Sequence, residues 1–147
     1  MTKKSTLTGI VGLTTTAVAA LALAVPGTAQ AAATSYWIGD CDKWAADGDP
    51  GANDMVATLR RSSDAAKHAY ASFKGYGETL YFYNKAGASM NFRVDIANGS
   101  THERAWDRTL GTGQSENMDF DIAEGRTVYL RIGTPGGDDT AFCQGKA

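Results

Sequence analysis

Residues 89–97 have the sequence SMNFRVDIA, which alternates between small or apolar and polar side chains and decides the fold class. One side of an extended chain would carry Met90, Phe92, Val94 and Ile96. The other side would carry Asn91, Arg93 and Asp95. A period of two predicts a β-strand with its apolar face in a core and its polar face toward solvent.

The segments around this strand have the same character. Residues 79–83 (TLYFY) are rich in β-forming side chains, and residues 127–132 (TVYLRI) alternate cleanly. Turn sequences such as Asn98-Gly99 separate the strands, and residues 85–88 (KAGA) would close a hairpin. Short strands at intervals of roughly 8–12 residues are typical of a sandwich or barrel. We therefore expect an all-β fold, a single immunoglobulin-like antiparallel β-sandwich of about seven strands.

Residues 54–73 fit two different structures. Their apolar residues approximate helical spacing, with Asn53 or Asp54 available as an N-cap. The sequence RSSD at residues 61–64 is instead typical of a turn, and residues 68–73 alternate as in a strand. We favour two strands over one helix.

Residues 1–31 have the three parts of a secretory signal peptide. Lys3 and Lys4 supply a positively charged start, and an apolar run extends from Leu7 to Val25. The sequence AQA at residues 29–31 has the small-x-small form that signal peptidase accepts. A retained membrane anchor is the alternative, but threonines and glycines interrupt the run and the cleavage sequence follows at once. We expect cleavage after Ala31 and a secreted, extracellular protein with no membrane contact.

The mature chain, residues 32–147, is expected to be one sandwich domain with two cysteines. Cys41 lies near its start and Cys143 near its end. An oxidising compartment favours a disulfide between them over two free thiols. Such a bridge would join the N- and C-terminal parts, and closing a loop of about 100 residues contributes on the order of 4–5 kcal/mol in the chain-entropy model.

Composition and motifs argue against several classes of protein. The formal net charge is −2, so no strongly basic surface attracts nucleic acid. His68 and His102 are the only histidines, and neither lies in a recognisable nucleophile motif. The carboxylates fall at turns and on polar strand faces, although two distant acids can still meet in a folded glycosidase. We expect no enzymatic activity and no cofactor.

Residues 47–54 (DGDPGAND) concentrate oxygen-bearing side chains of the kind that calcium prefers. The same residue types are typical of turns, and the spacing lacks the distal glutamate of an EF-hand. Weak calcium binding at residues 47–54 therefore remains an alternative. We favour a turn and expect no metal site.

Tyr36, Trp37 and Ile38 stand a few residues after the cleavage site and before Cys41. Aromatic residues near a free terminus either pack as a first strand or contact a partner. Core packing is the simpler interpretation. Our hypothesis for function is that these three residues form a partner-binding element.

These features together resemble the small adaptor subunits of Umbrella toxin particles, which are secreted antibacterial assemblies of filamentous bacteria. The resemblance rests on the AQA cleavage sequence, on Tyr36-Trp37-Ile38, and on the lone pair Cys41 and Cys143. It implies a non-enzymatic linker whose N-terminal segment inserts into a lectin-like subunit. Another surface of the linker would then bind a toxin-bearing stalk.

The resulting expectation is a secreted protein-interaction module that serves as an adaptor in an extracellular antibacterial toxin complex. A secreted protease inhibitor is one alternative, with Arg60-Arg61 or Arg104 as a trypsin-directed residue. A carbohydrate-binding module is the other, with Tyr81, Tyr83 or Trp106 stacking on sugar.

Overall fold

The computed structural model describes residues 35–137 and 139–147, and these residues form β-strands with no helix. The strands are β1 Trp37–Ala45, β2 Asn53–Arg61, β3 Asp64–Lys74, β4 Thr79–Asn84, β5 Met90–Asn98, β6 Thr101–Leu110, β7 Ser115–Asp119, β8 Thr127–Gly133 and β9 Asp139–Lys146. The predicted signal peptide and its cleavage site after Ala31 lie outside the described residues. None of the described residues belongs to a helix that could span a membrane.

The strands form two antiparallel sheets that pack face to face. The five-stranded sheet has the order β1-β2-β3-β4-β7, and the four-stranded sheet has the order β6-β5-β8-β9. The predicted all-β sandwich is confirmed, with nine strands among the described residues where the sequence predicted about seven. Its immunoglobulin-like topology is not confirmed, because the first four strands form a meander within one sheet. An immunoglobulin sandwich places its third strand in the opposite sheet.

The ambiguous stretch forms two strands, as favoured from the sequence. β2 and β3 are joined by a tight connection at residues 62–63 and pair antiparallel, with Thr58 opposite Tyr70. Met55, Ala57 and Leu59 alternate along β2 and are fully buried. A helix would have turned part of this apolar set toward solvent, so burial favours the strand period.

The connection at residues 85–88 is not the hairpin loop that its sequence predicts. β4 belongs to the five-stranded sheet and β5 to the four-stranded sheet, so the chain crosses from one layer to the other. Phe82 of β4 faces Phe92 of β5 across the core, with ring centroids 5.8 Å apart in an edge-to-face arrangement. A hairpin would place both strands in one layer and remove this contact between layers.

Asn84 fixes the place where the chain changes sheets. The side chain is fully buried at the end of β4. Its Nδ2 donates to the carbonyl oxygens of Ala88 at 2.9 Å and Leu110 at 2.7 Å, and its Oδ1 accepts from the N–H of Ala86 at 2.9 Å. One amide therefore satisfies three backbone groups, two in the β4–β5 connection and one at the end of β6, which a hydrophobic residue could not do.

Candidate interaction surfaces

The disulfide between Cys41 and Cys143 ties the two sheets together at their edges. Cys41 lies in edge strand β1 of one sheet, and Cys143 lies in edge strand β9 of the other. Their Cα atoms are 5.2 Å apart. The predicted pairing is confirmed, and it holds the outward faces of both sheets on one rigid frame.

The predicted partner-binding residues begin β1. Tyr36 is 62% exposed, and its backbone exchanges hydrogen bonds with Ser62. Trp37 packs partly against the core beneath the guanidinium of Arg61, which lies 5.0 Å from the ring centroid. Ile38 is half-buried on the opposite side of the strand. The segment is thus the start of an edge strand, and partner binding by these residues stays a prediction.

Three tyrosines cluster on the outward side of the five-stranded sheet. Tyr70 of β3 lies between Tyr81 and Tyr83 of β4, with ring centroids 5.7 Å and 5.8 Å away and interplanar angles of 44° and 58°. His68 stacks beside Tyr70 at 6.3 Å. All four side chains are half-buried. We call the outward side of β1, β2, β3, β4 and β7, centred on these tyrosines, the tyrosine face.

The central phenol of the tyrosine face is held neutral. Burial raises the pKa of Tyr70, and the neighbouring phenols of Tyr81 and Tyr83 raise it further, with a hydrogen bond from Tyr70 to Tyr81 contributing. Near neutral pH the hydroxyl of Tyr70 therefore donates and accepts hydrogen bonds without charge.

Carboxylates border the tyrosine face. Asp40 pairs with Arg60 at 3.0 Å, and the nearly buried Asp54 pairs with Lys74 at 2.7 Å. The ammonium of Lys74 also lies 5.6 Å from the ring centroid of Trp44, which is 45% exposed. The face thus combines a centre of tilted aromatic rings with a polar rim of ion pairs, the anatomy of a protein-binding patch.

The outward side of the four-stranded sheet is built around a buried carboxylate. The alternation along β5 predicted that Asp95 faces solvent together with Asn91 and Arg93. Asp95 is instead fully buried, so this part of the prediction is wrong. Arg93 and Arg131 cover it, with Nε atoms 2.8 Å and 3.2 Å from its carboxylate oxygens. These two arginines are also direct cross-strand neighbours.

Aromatic rings continue this surface. The guanidinium of Arg131 lies 4.9 Å from the ring centroid of Phe142, which is 43% exposed. Tyr129 stacks on His102 at 4.3 Å and on Phe142 at 5.9 Å. We call the outward side of β5, β6, β8 and β9, centred on Arg93 and Arg131, the arginine face.

A cleft of about 410 Å³ opens at one end of the sandwich. Its lining includes Tyr76, Phe120 and the carboxylates of Asp49, Glu78 and Asp121. The Glu78 carboxylate accepts a hydrogen bond from the N–H of Ile122, so it organises the neighbouring loop.

The segment 47–54 uses its polar side chains to shape the protein. Asp54 accepts from the Gly75 N–H at 3.0 Å, Asn53 from the Lys146 N–H at 2.9 Å, and Asp49 from the Gly51 N–H at 3.2 Å. Throughout residues 35–137 and 139–147, no three His, Cys, Asp or Glu side chains are grouped so that they could hold a metal ion.

The residues that the alternative functions would use lie in regular structure. Arg60 and Arg61 belong to β2, which is paired on both sides, and Arg104 of β6 pairs with Asp107 at 3.0 Å. Trp106 stacks on Phe82 at 4.2 Å and packs against the core. None of these three arginines lies in a loop, as an inhibitor residue would, and the Trp106 ring packs against Phe82, whereas Tyr81 and Tyr83 keep partly accessible rings on the outward side of the five-stranded sheet.

Sequence analysis missed Tyr70 and the buried state of Asp95. Tyr70 was visible only as one member of the alternating run 68–73, because its neighbours Tyr81 and Tyr83 depend on the pairing of β3 with β4. The spacing of Arg93 and Asp95 was visible, but Arg131 joins them only through the pairing of β5 with β8.

No protein-family model, curated protein or solved structure matches this chain.

Proposed function

We propose that the protein is a secreted, non-enzymatic protein-interaction module, the role of an adaptor subunit in an extracellular antibacterial toxin complex. The observation that carries the proposal is the tyrosine face. Three half-buried tyrosines contact one another on an outward sheet surface, and each keeps part of its surface accessible to solvent.

The composition of this face favours a protein partner. Tyrosine supplies a large contact area with few rotatable bonds, and it is enriched where interface energies concentrate. Because Tyr70, Tyr81 and Tyr83 already restrict one another, they lose little conformational entropy on binding. A surface ordered in this way can contribute more of its contact energy to affinity.

The ring geometry favours protein over polysaccharide. A sugar chain that stacks along a flat surface needs rings in one plane, whereas Tyr70 is tilted by 44° to Tyr81 and by 58° to Tyr83. Tilted rings form hollows between them, which suit the side chains of a protein.

The start of β1 extends the same surface. Ile38 pairs with Arg60, and Arg60 pairs with His68, so all three share the outward side of the sheet beside Tyr70. The predicted partner-binding element and the tyrosine face would then form one continuous contact area, with Trp37 anchoring β1 from the opposite side.

A native pull-down from culture supernatant with the tagged mature chain tests the proposal. The double variant Tyr81→Ala/Tyr83→Ala removes two rings from the face. Tyr76→Ala is the matched control, because Tyr76 is 68% exposed and lies outside the face in the β3–β4 connection. We expect a stoichiometric protein partner with wild type and Tyr76→Ala, and at least a tenfold loss with the double variant at a temperature where circular dichroism shows all three proteins folded.

Other results would contradict the proposal. Equal recovery with the double variant would remove the tyrosine face as the contact. Retention on a polysaccharide resin without a protein partner would favour the carbohydrate-binding alternative, and inhibition of a co-purified protease would favour the inhibitor.

The same assay tests the start of β1 residue by residue. Tyr36→Ala should weaken partner recovery and leave the melting temperature unchanged, because the ring of Tyr36 is mostly exposed. Trp37→Ala should lower the melting temperature, because Trp37 packs against the core. Full recovery with Tyr36→Ala would exclude that residue from the contact.

A further inference from the structure

The two outward faces of the sandwich differ in charge. Among the described strand residues, the tyrosine face has more acidic than basic side chains: Asp40, Asp42, Asp54 and Asp119 against Arg60 and Lys74. Among strand residues whose side chains the structure describes, the arginine face has the reverse balance: Arg93, Arg104, Arg131 and Lys146 against Asp95 and Asp107. Because the sheets pack on each other through their inner sides, these faces lie on opposite sides of the protein.

The arginine face holds its two central guanidinium groups in place. Arg93 and Arg131 are directly opposite each other on paired strands, an arrangement that like charges disfavour. The buried carboxylate of Asp95 compensates for this by contacting both. Phe142 supports Arg131 from the side. The face is therefore pre-ordered to meet carboxylates and aromatic rings.

The tyrosine face presents those same groups. Its outward carboxylates include Asp42 and Asp119, which are exposed on the two edge strands, and its centre is three tyrosine rings. Arginine binds carboxylates through paired hydrogen bonds and binds aromatic rings through cation–π contacts. The two faces of one molecule are thus complementary in charge and in chemistry.

We propose that the arginine face of one copy packs on the tyrosine face of a second copy, head to tail. This contact is heterologous, since it joins two different surfaces, so further copies can add to either end. The inference goes beyond the proposed function and does not depend on it. A partner bound to the tyrosine face would compete with the second copy.

The size of the faces predicts a weak association. Strands about 4.8 Å apart and contact lengths of about 20 Å limit the smaller, four-stranded face to roughly 400 Å². Two such faces together bury less than the roughly 1,200 Å² of a stable standard interface. We therefore expect reversible association that is strong only at high protein concentration and low salt.

Sedimentation velocity of the purified mature protein tests this directly. Measurements should cover two orders of magnitude in protein concentration, at low salt and at about 0.5 M NaCl, where charge interactions are screened within about 4 Å. We expect the mean sedimentation coefficient to rise with concentration at low salt and to stay at the monomer value at high salt. A monomer at every concentration in low salt would overturn the proposal.

Variants that block one face each identify the contact. Asp42→Lys/Asp119→Lys makes the tyrosine face basic, and Phe142→Glu places a carboxylate beside Arg131 on the arginine face. All three substituted side chains are exposed, so both proteins should fold. Lys85→Glu is the control, because it reverses the charge of an exposed side chain in the β4–β5 connection, outside both faces.

Each blocked variant should be at least tenfold weaker in self-association than wild type, and Lys85→Glu should match wild type. An equimolar mixture of the two blocked variants retains one intact face of each kind, so it should form a 1:1 dimer and nothing larger. Self-association of either blocked variant alone at wild-type strength would overturn the head-to-tail contact, as would a mixture that stays monomeric.

The self-association measurements and the partner pull-down can give different answers, so the two proposals are tested independently. Concentration-dependent association with no secreted partner would support this inference and contradict the proposed function. A retained partner with a strictly monomeric protein would do the opposite.

Discussion

Replacing Asn84 with aspartate should destabilise the fold strongly at neutral pH and much less at pH 4. The substitution keeps the shape of a fully buried side chain but changes one atom from donor to acceptor. The native Nδ2 donates to the carbonyl oxygens of Ala88 at 2.9 Å and Leu110 at 2.7 Å. An ionised carboxylate there would face two carbonyl oxygens, and a protonated one can donate to only one of them.

The magnitude follows from these two contacts. Keeping the carboxyl of Asn84→Asp neutral at pH 7, above its ordinary pKa of about 3.9, costs about 4 kcal/mol. One buried carbonyl oxygen also loses its donor, which costs about 1–3 kcal/mol. We expect the free energy of unfolding to fall by about 5 kcal/mol or somewhat more at pH 7, and by about 1–3 kcal/mol at pH 4.

The sign of the pH dependence is fixed by linkage. Burial beside two carbonyl oxygens raises the pKa of the introduced carboxyl in the folded state. A raised folded-state pKa favours folding fully only below the unfolded pKa, and this contribution is lost as the pH rises. The deficit relative to wild type must therefore grow from pH 4 to pH 7.

Urea unfolding followed by circular dichroism at both pH values measures this deficit, each time against wild type in the same buffer. Asn117→Asp is the control, because Asn117 is exposed on β7, and its change should stay within about 0.5 kcal/mol. An Asn84→Asp protein that is unfolded at pH 7 and folded at pH 4 also meets the prediction. A deficit below about 1 kcal/mol at pH 7, or an equal deficit at both pH values, would refute the reasoning.

Three further predictions concern other parts of the fold. Gly75→Ala should cost about 1–3 kcal/mol, because an added Cβ would lie 2.7 Å from the Ala52 Cβ and 2.9 Å from the Asn53 carbonyl oxygen. Gly51→Ala has nothing nearer than 3.7 Å and should be neutral in the same thermal melts, so equal effects would contradict the packing argument. Reducing the disulfide of Cys143 should lower the free energy of unfolding by about 4–5 kcal/mol, and an unchanged melting temperature in reductant would count against it. Since the pKa of Tyr70 is raised, its contribution to stability is complete below about pH 10 and is lost as the pH rises further. Absorbance titration should show a late-ionising phenol that is missing from Tyr70→Phe, and identical curves would exclude this assignment.

Local patterning in the sequence was enough to identify the most regularly alternating strand. Alternation along residues 89–97 predicted β5 with the correct buried set, Met90, Phe92, Val94 and Ile96. This works because the side-chain period of a strand is a local property of the backbone and needs no knowledge of its neighbours. The pairing of Cys41 with Cys143 was also predicted from the sequence, because the chain contains no other cysteine and the predicted export favours a disulfide over two free thiols.

Only the tertiary structure decided which strands share a sheet. The five residues between β4 and β5 fit a hairpin as well as a crossover, and the burial of Phe82 against Phe92 selects the crossover. The tyrosine face and the arginine face also depend on which strands pair with each other. Tyr70 meets Tyr81 and Tyr83, and Arg131 meets Asp95, through the register of strands far apart in the chain. The register of two paired strands is set by which faces of the sheets are buried together in the core. No local stretch of sequence contains that information.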